Sequence, residues 1–205
     1  MIHDRVLKLL AGVIVLAFII ACLLHQTKYS AFTTAATAGA VFMALWDRYL
    51  WRWKPFCYLD WKPNLRGTWQ GLLHSDYRMH ETGERRINIE TYLVIRQTYS
   101  KINIRLMTAE SGSESLSANL FADGEGLFTL ASSYRNTPRI SVRERSPISH
   151  GGMSLSVRGK PVHMLEGEYF TDRKTKGEME FVARSDGFAS DFAQAQGFKF
   201  RKLKG

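Results

Sequence analysis

Between Val6 and Leu24 the sequence carries one charge, Lys8, and the run Leu9-Leu10-Ala11-Gly12-Val13-Ile14-Val15-Leu16-Ala17-Phe18-Ile19-Ile20-Ala21-Cys22-Leu23-Leu24 carries none. As a helix rising about 1.5 Å per residue, this segment crosses about 30 Å of hydrocarbon, with Lys8 reaching back along its own stem to the headgroups. A second charge-free stretch, Tyr29 to Leu45, runs into Trp46-Asp47-Arg48-Tyr49-Leu50-Trp51-Arg52-Trp53-Lys54, an aromatic and basic mixture of the kind that settles at a membrane surface. Two transmembrane helices are therefore expected, at about 6–24 and about 29–46, joined by the polar turn His25-Gln26-Thr27-Lys28.

Two rival readings exist. Arg5 and Lys8 before an apolar run also suit a cleaved signal peptide, but the run is long, no small-x-small cleavage site closes it, and a second span follows directly. The second stretch also suits a buried or interfacial helix. Its small residues fall four apart at Ala31-Ala35-Gly39 and Ala36-Ala40, a spacing that lets helices approach closely in lipid, either within one chain or between chains. Basic residues cluster outside the two spans (Arg5, Lys8, then Arg48, Arg52, Lys54, Lys62 and Arg66) against Lys28 alone in the turn. Both termini are thus expected in the cytoplasm, where free Cys22 and Cys57 would stay reduced.

After Pro63 the pattern changes to period two. Candidate strands are 65–74, 86–97, 101–109, 113–122, 127–134, 139–145, 153–158, 162–171 and 177–184, separated by turn residues. The turns are placed at Glu81-Thr82-Gly83-Glu84, Asp123-Gly124-Glu125-Gly126, Asn136-Thr137-Pro138, His150-Gly151-Gly152, Arg158-Gly159-Lys160-Pro161 and Asp172 to Gly177. Only Asp186 to Gly197 reads as helix. Eight or nine short strands with hairpin connections, and little helix to cover an open sheet, favour a closed antiparallel β-barrel of about eight strands. The expected organisation is a membrane-anchored all-β protein, with residues 1–54 holding the spans and the juxtamembrane segment, and residues 60–205 forming a cytosolic ligand-binding barrel. In the fifth strand Leu127-Thr129-Ala131-Ser133 and Phe128-Leu130-Ser132-Tyr134 are equal claimants to the core.

Catalytic patterns are scarce. The histidines His3, His25, His74, His80, His150 and His163 show no metal-ligand spacing, and neither a nucleophile elbow nor a phosphate loop occurs. No enzyme, metal or cofactor is expected. The net charge of +9 divides almost evenly between the first 59 residues and the rest, so the barrel is mildly basic with intermixed signs. That speaks against a nucleic-acid polymer, which wants a dense basic face, and suits a small anionic ligand held by a few arginines and stacked on aromatic rings.

Gly67-Thr68-Trp69 on the first strand is similar to the Gly-x-Trp of lipocalin-like barrels. That resemblance implies that Trp69 closes the barrel floor and that Arg184 packs across it. Over nearly the full chain, the two spans, the aromatic-basic junction, the segment Asp60-Trp61-Lys62-Pro63-Asn64-Leu65-Arg66-Gly67-Thr68-Trp69-Gln70-Gly71 and the late run Leu165-Glu166-Gly167-Glu168-Tyr169-Phe170-Thr171-Asp172-Arg173-Lys174-Thr175-Lys176-Gly177-Glu178-Met179 resemble a bacterial anti-phage effector. The family is the two-transmembrane, β-strand-rich, SMODS-associated effector of CBASS defence, a minimal STING-like receptor. Membership implies a barrel that binds a cyclic di- or oligonucleotide made by a partner nucleotidyltransferase. It further implies self-association into a homo-oligomer and disruption of the inner membrane lipids by the helices.

The resemblance transfers no ligand residues, so the candidates rest on chemistry. Tyr169 and Thr171 come first, on the expected inward face beside Gly167. Tyr92, Arg105, Tyr134, Arg135 and Arg173 follow as stacking or phosphate-binding groups. Each has a plainer reading: tyrosines as barrel wall, Thr171 as a turn cap, arginines as solvated outer face. The alternative function is a tethered lipocalin-like barrel for a lipid or other apolar molecule.

Overall fold

The computed structural model describes residues 4–24, 27–58, 61–76, 87–123 and 125–203. The expected turns at His25-Gln26 and Glu81-Thr82-Gly83-Glu84, the strand start at Arg86, and Asp60, Gly124, His3 and His80 lie outside the described residues. The chain divides into two compact units, one of residues 1–62 with 98–100 and one of residues 63–97 with 101–205.

The first unit is a helical hairpin. The apolar run forms α1 (Asp4–Leu23), and α2 (Lys28–Arg48) begins where the Thr27 hydroxyl accepts from the Ser30 amide, an N-cap that fixes the chain reversal. Ala31, Ala35 and Gly39 of α2 are buried. A Cβ at Gly39 would lie 2.9 Å from Ile14 Cγ1, so glycine there sets how closely the two helices pack. Ala36 and Ala40 lie on the exposed side of α2. Among the described helices α1 is long and apolar enough to cross a bilayer. The expected second span forms a helix of matching length but is richer in Ala and Thr. One-turn 3-10 helices at Leu50–Arg52 and Phe56–Tyr58 follow, and Trp46, Trp51, Tyr99 and Val6 make the unit's own buried cluster.

The second unit is an antiparallel barrel of eight strands: β1 (Gly67–Ser75), β2 (Ile87–Gln97), β3 (Ile102–Met107), β4 (Ser111–Ala122), β5 (Phe128–Pro138), β6 (Ser149–Arg158), β7 (Met164–Thr171) and β8 (Lys176–Ser185). Each strand pairs with its sequence neighbour, and β1 also pairs with β8, which closes the sheet. A two-residue β9 (Arg201–Lys202) adds to β8, after the short α3 (Phe192–Gln196). Two glycines permit closure. Gly67 has φ 121°, and at the β1–β8 bulge a Cβ on Gly71 would stand 2.0 Å from the Glu180 carbonyl oxygen. Leu65, Trp69, Leu93, Leu130, Leu155, Leu165 and Phe181 are wholly buried within.

Three expectations change. The segment 139–145 is not a strand but a strap holding the 3-10 turn Ile140–Val142, because Pro138 ends the β5 ladder and Ile140 stands 81% exposed, so the alternation faces no core. Asn136-Thr137-Pro138 and His150-Gly151-Gly152 are not turns but paired strand, with Asn136 opposite Ser149 and Gly151 opposite Tyr134. The expected helix 186–197 is confined to α3, capped by Asp191, whose carboxylate accepts from the Gln194 amide at 2.8 Å. Parity in β5 resolves to Phe128-Leu130-Ser132-Tyr134 as the inward set.

Outside the barrel, α3 and the C-terminal residues cover the outer face of β2. Tyr92 is stacked on Phe200 at 5.5 Å and edge-on to Phe192 at 5.2 Å. Burial first, and then the hydrogen bond to Glu90 and its charge, push the Tyr92 phenol up to about 12.

Replacing wholly buried Leu155 by alanine is expected to destabilise the full-length protein in detergent by roughly 2–5 kcal/mol, read from urea midpoints by tryptophan fluorescence. Because its phenol is raised in the fold, Tyr92 contributes stability that is complete below about 10 and is lost as pH rises through about 12. Tyr92→Phe should therefore flatten the decline of melting temperature between these values; a decline parallel to wild type would contradict the assignment.

Candidate functional site

The barrel interior changes chemistry along its axis. One end, where β1 begins and the β2–β3, β4–β5 and β6–β7 turns lie, is filled by Leu65, Trp69, Ile95, Ile102, Val157 and Leu165. There the Arg184 guanidinium lies 5.4 Å over the Trp69 ring and donates to the Asn64 carbonyl at 2.8 Å, while the Trp69 indole donates to the Leu65 carbonyl. Burial lowers the Arg184 pKa.

The other end, bounded by the β3–β4 and β7–β8 turns and the 139–148 strap, is polar. Two hydrogen-bonded rungs organise it. Ser132, Met153, Tyr169, Gly177 and Ser75 are successive register partners from β5 round to β1, and Ser115, Tyr134, Gly151 and Thr171 form the next rung out. On the first rung the Tyr169 hydroxyl donates to Ser75 Oγ at 2.8 Å. On the second the Tyr134 hydroxyl donates to the Phe170 carbonyl at 3.3 Å. Beyond them the Ser113 hydroxyl donates to Asn136 Oδ1 at 2.9 Å, opposite buried Ser149.

The tyrosines have room because glycines face them. A Cβ on Gly177 would sit 2.8 Å from Tyr169 Cε1, and one on Gly151 2.6 Å from the Tyr134 hydroxyl. Burial drives both phenols upward. For Tyr134 the neighbouring Tyr169 and Asp172 add to that, whereas for Tyr169 the bond to Ser75 pulls the other way. Both phenols are therefore held neutral, each with its single O–H donated within the barrel.

The structure brings four of the seven sequence candidates to this end. Tyr134 and Tyr169 line its inner wall. Thr171 lies at the rim, its hydroxyl 2.6 Å from that of Thr175 across the β7–β8 turn. Arg173, in that turn, donates to Ser146 Oγ at 2.8 Å and to the Arg145 carbonyl, and so ties turn to strap. Arg135 is exposed on the outer face of β5, opposite His150. The remaining two lie elsewhere. Tyr92 is on the outer face beneath α3. Arg105 is ion-paired with Glu114, donates to the Ser190 carbonyl, and lines an outer groove of about 260 Å³ with Val94, Arg96 and Asn103.

Sequence reasoning missed the small polar residues of the polar end, Ser75, Ser113, Ser132, Asn136 and Ser149. Their signal was the inward parity of each strand, hidden at Ser75, Asn136 and Ser149 because the expected strands stopped short. It also missed Arg143 in the strap. Arg143 donates through Nη2 to the Pro138 carbonyl at 3.1 Å, and its buried Nε has no partner among the described residues.

The arrangement sets two largely buried tyrosine rings, hydroxyl and amide groups, and the rim guanidinium of Arg173 at one end of the barrel. Such a combination suits a planar heterocycle joined to an anion. Residues 61–183 match the family model described as Cap15, cyclic dinucleotide receptor domain. Two curated relatives are each named CD-NTase-associated protein 15. One, from Yersinia aleksiciae, is 32% identical over 148 residues, which is 70% of this chain and 67% of the relative. The other, from Staphylococcus schleiferi, is 25% identical over 165 residues, 80% of this chain and 85% of the relative. With its closed barrel, its polar end and a match over most of the chain, this protein belongs to the Cap15 family.

Proposed function

We propose that this protein is a membrane-anchored CBASS effector whose barrel binds a cyclic dinucleotide at its polar end, as a receptor and not a catalyst. The observation that carries this reading is the pairing of Tyr134 and Tyr169 with facing glycines among hydroxyl and amide groups at one end of the barrel. The family description supports it. In this account a base of the ligand stacks on a tyrosine ring, while phosphate oxygens meet Arg143 and Arg173 at the rim. A partner nucleotidyltransferase supplies the ligand, in keeping with the names of the relatives.

The rest of the proposal concerns the membrane. α1 anchors the chain and α2 makes a second crossing, with both termini and the barrel in the cytoplasm and with residues 1–54 and 60–205 as working domains. Ligand binding favours a self-associated state in which the helices disrupt the inner membrane. Binding does this only to the extent that the ligand prefers the assembled form. The small residues Ala36 and Ala40, exposed on α2, suit close contact between copies.

Calorimetry on the full-length protein in detergent, with a panel of all-purine, mixed and all-pyrimidine cyclic dinucleotides, tests the site. Tyr169→Ala is expected to weaken the best ligand at least about tenfold, the worth of one base stack, while Tyr169→Phe keeps the ring and stays within about threefold. In cells, Tyr169→Ala should abolish nucleotide-dependent toxicity and leave the protein in the membrane fraction. Unchanged affinity in a folded Tyr169→Ala protein would overturn the site.

A further inference from the structure

Asp47 is the one acidic residue between Asp4 and Asp60. It lies next to the last residue of α2, where the helix dipole disfavours negative charge. Its surroundings in the helical unit supply what offsets that cost. The unit contains residues 98–100, the turn that joins β2 to β3. Asp47 Oδ1 accepts from the Ser100 amide at 2.7 Å and from the Thr98 hydroxyl at 3.2 Å, and the Asp47 carbonyl accepts from the Tyr99 amide at 2.8 Å. One residue thus holds three successive groups of the turn, two of them through a charge-assisted acceptor.

Aromatic and cationic groups seat the same turn. The Tyr99 ring is buried edge-on against Trp46 at 6.1 Å and Trp51 at 6.5 Å. The Lys62 ammonium lies 4.9 Å over the ring and also donates to the Tyr99 carbonyl. By covalent connection the turn continues directly into β2, which carries Thr91, Leu93 and Ile95 on the inner wall, and into β3. The chain from Tyr49 to Arg66 is one route between α2 and the barrel strands, and this turn is a second.

We propose that Asp47 is a positioning residue whose clamp on Thr98, Tyr99 and Ser100 makes the β2–β3 turn a mechanical joint to the end of α2. It carries the response to ligand from the strands to the helices, a role that rests on the receptor function proposed above. The joint acts through hydrogen bonds and not through ligand contact, so removing it uncouples response from binding.

The test uses the full-length protein, in detergent for hydrogen exchange and in phospholipid vesicles loaded with a self-quenched dye for leakage. Asp47→Ala should speed exchange at the Ser100 amide roughly tenfold or more, the loss expected for one charge-assisted hydrogen bond. Asp47→Asn, which keeps an Oδ1 acceptor, should retain most of the protection. With the best-binding member of the cyclic dinucleotide panel, Asp47→Ala should bind within about twofold of wild type and lose most of the leakage, and Asp47→Asn should restore it. Unchanged Ser100 exchange overturns the clamp, and leakage equal to wild type at equal binding overturns its transmitting role. A wild-type protein that binds none of the panel overturns the receptor function and the transmitting role with it, while Ser100 exchange still decides the clamp.

Discussion

The pairing of β1 with β8 closes the sheet, and every other feature of the barrel depends on that closure. Once closed, the sheet has no free edge within the eight strands, and one set of side chains per strand must fill a narrow interior. Closure requires backbones to approach closely at β1, where Gly67 and Gly71 leave no room for a Cβ against Ser185 and Glu180. Trp69 sits between these glycines, wholly buried, with the Arg184 guanidinium across its face. The Gly-x-Trp pattern is thus a statement about closure before it is one about ligand.

A closed interior of this width divides along its length. Bulky aliphatics take one end, and the other is left with tyrosines, hydroxyls and an amide that bond one another or backbone carbonyls. Such a network is stable only while its groups are satisfied, which makes it responsive to anything that offers better partners. Arg173 links the β7–β8 turn to the strap above this end, and Arg143 holds the strap to the end of β5. The proposed ligand would therefore meet groups already fixed by backbone register, not by mobile side chains alone.

Much of the barrel was legible in period two, because the core-facing positions of β2 and β7 alternate without interruption. Legibility failed where alternation exists without a core to face. Ile140 and Val142 alternate with charged or polar neighbours much as a strand would, yet Pro138 stops the ladder before them. It failed in the opposite sense at His150-Gly151-Gly152, where glycines that read as a turn are strand residues that make space for Tyr134. Of the candidate site, Tyr169 and Tyr134 were readable as aromatic residues on strands. Arg105 and Tyr92 stand on outer strand faces, which parity separates from the interior, and residue type alone had set them beside Tyr134 and Tyr169. Asp47 was invisible as a functional residue because its partners lie about fifty positions away.

The central claim is that the ligand enters the polar end of the barrel. Photo-crosslinking the full-length protein with an azido-substituted cyclic dinucleotide, followed by peptide mapping, tests it most directly. Labels are expected on the peptides that carry Tyr134, Gly151 and Tyr169, and to be competed away by unmodified nucleotide. Competable labels confined to the outer groove at Arg96 and Arg105, or to the Trp69 end, would contradict the account.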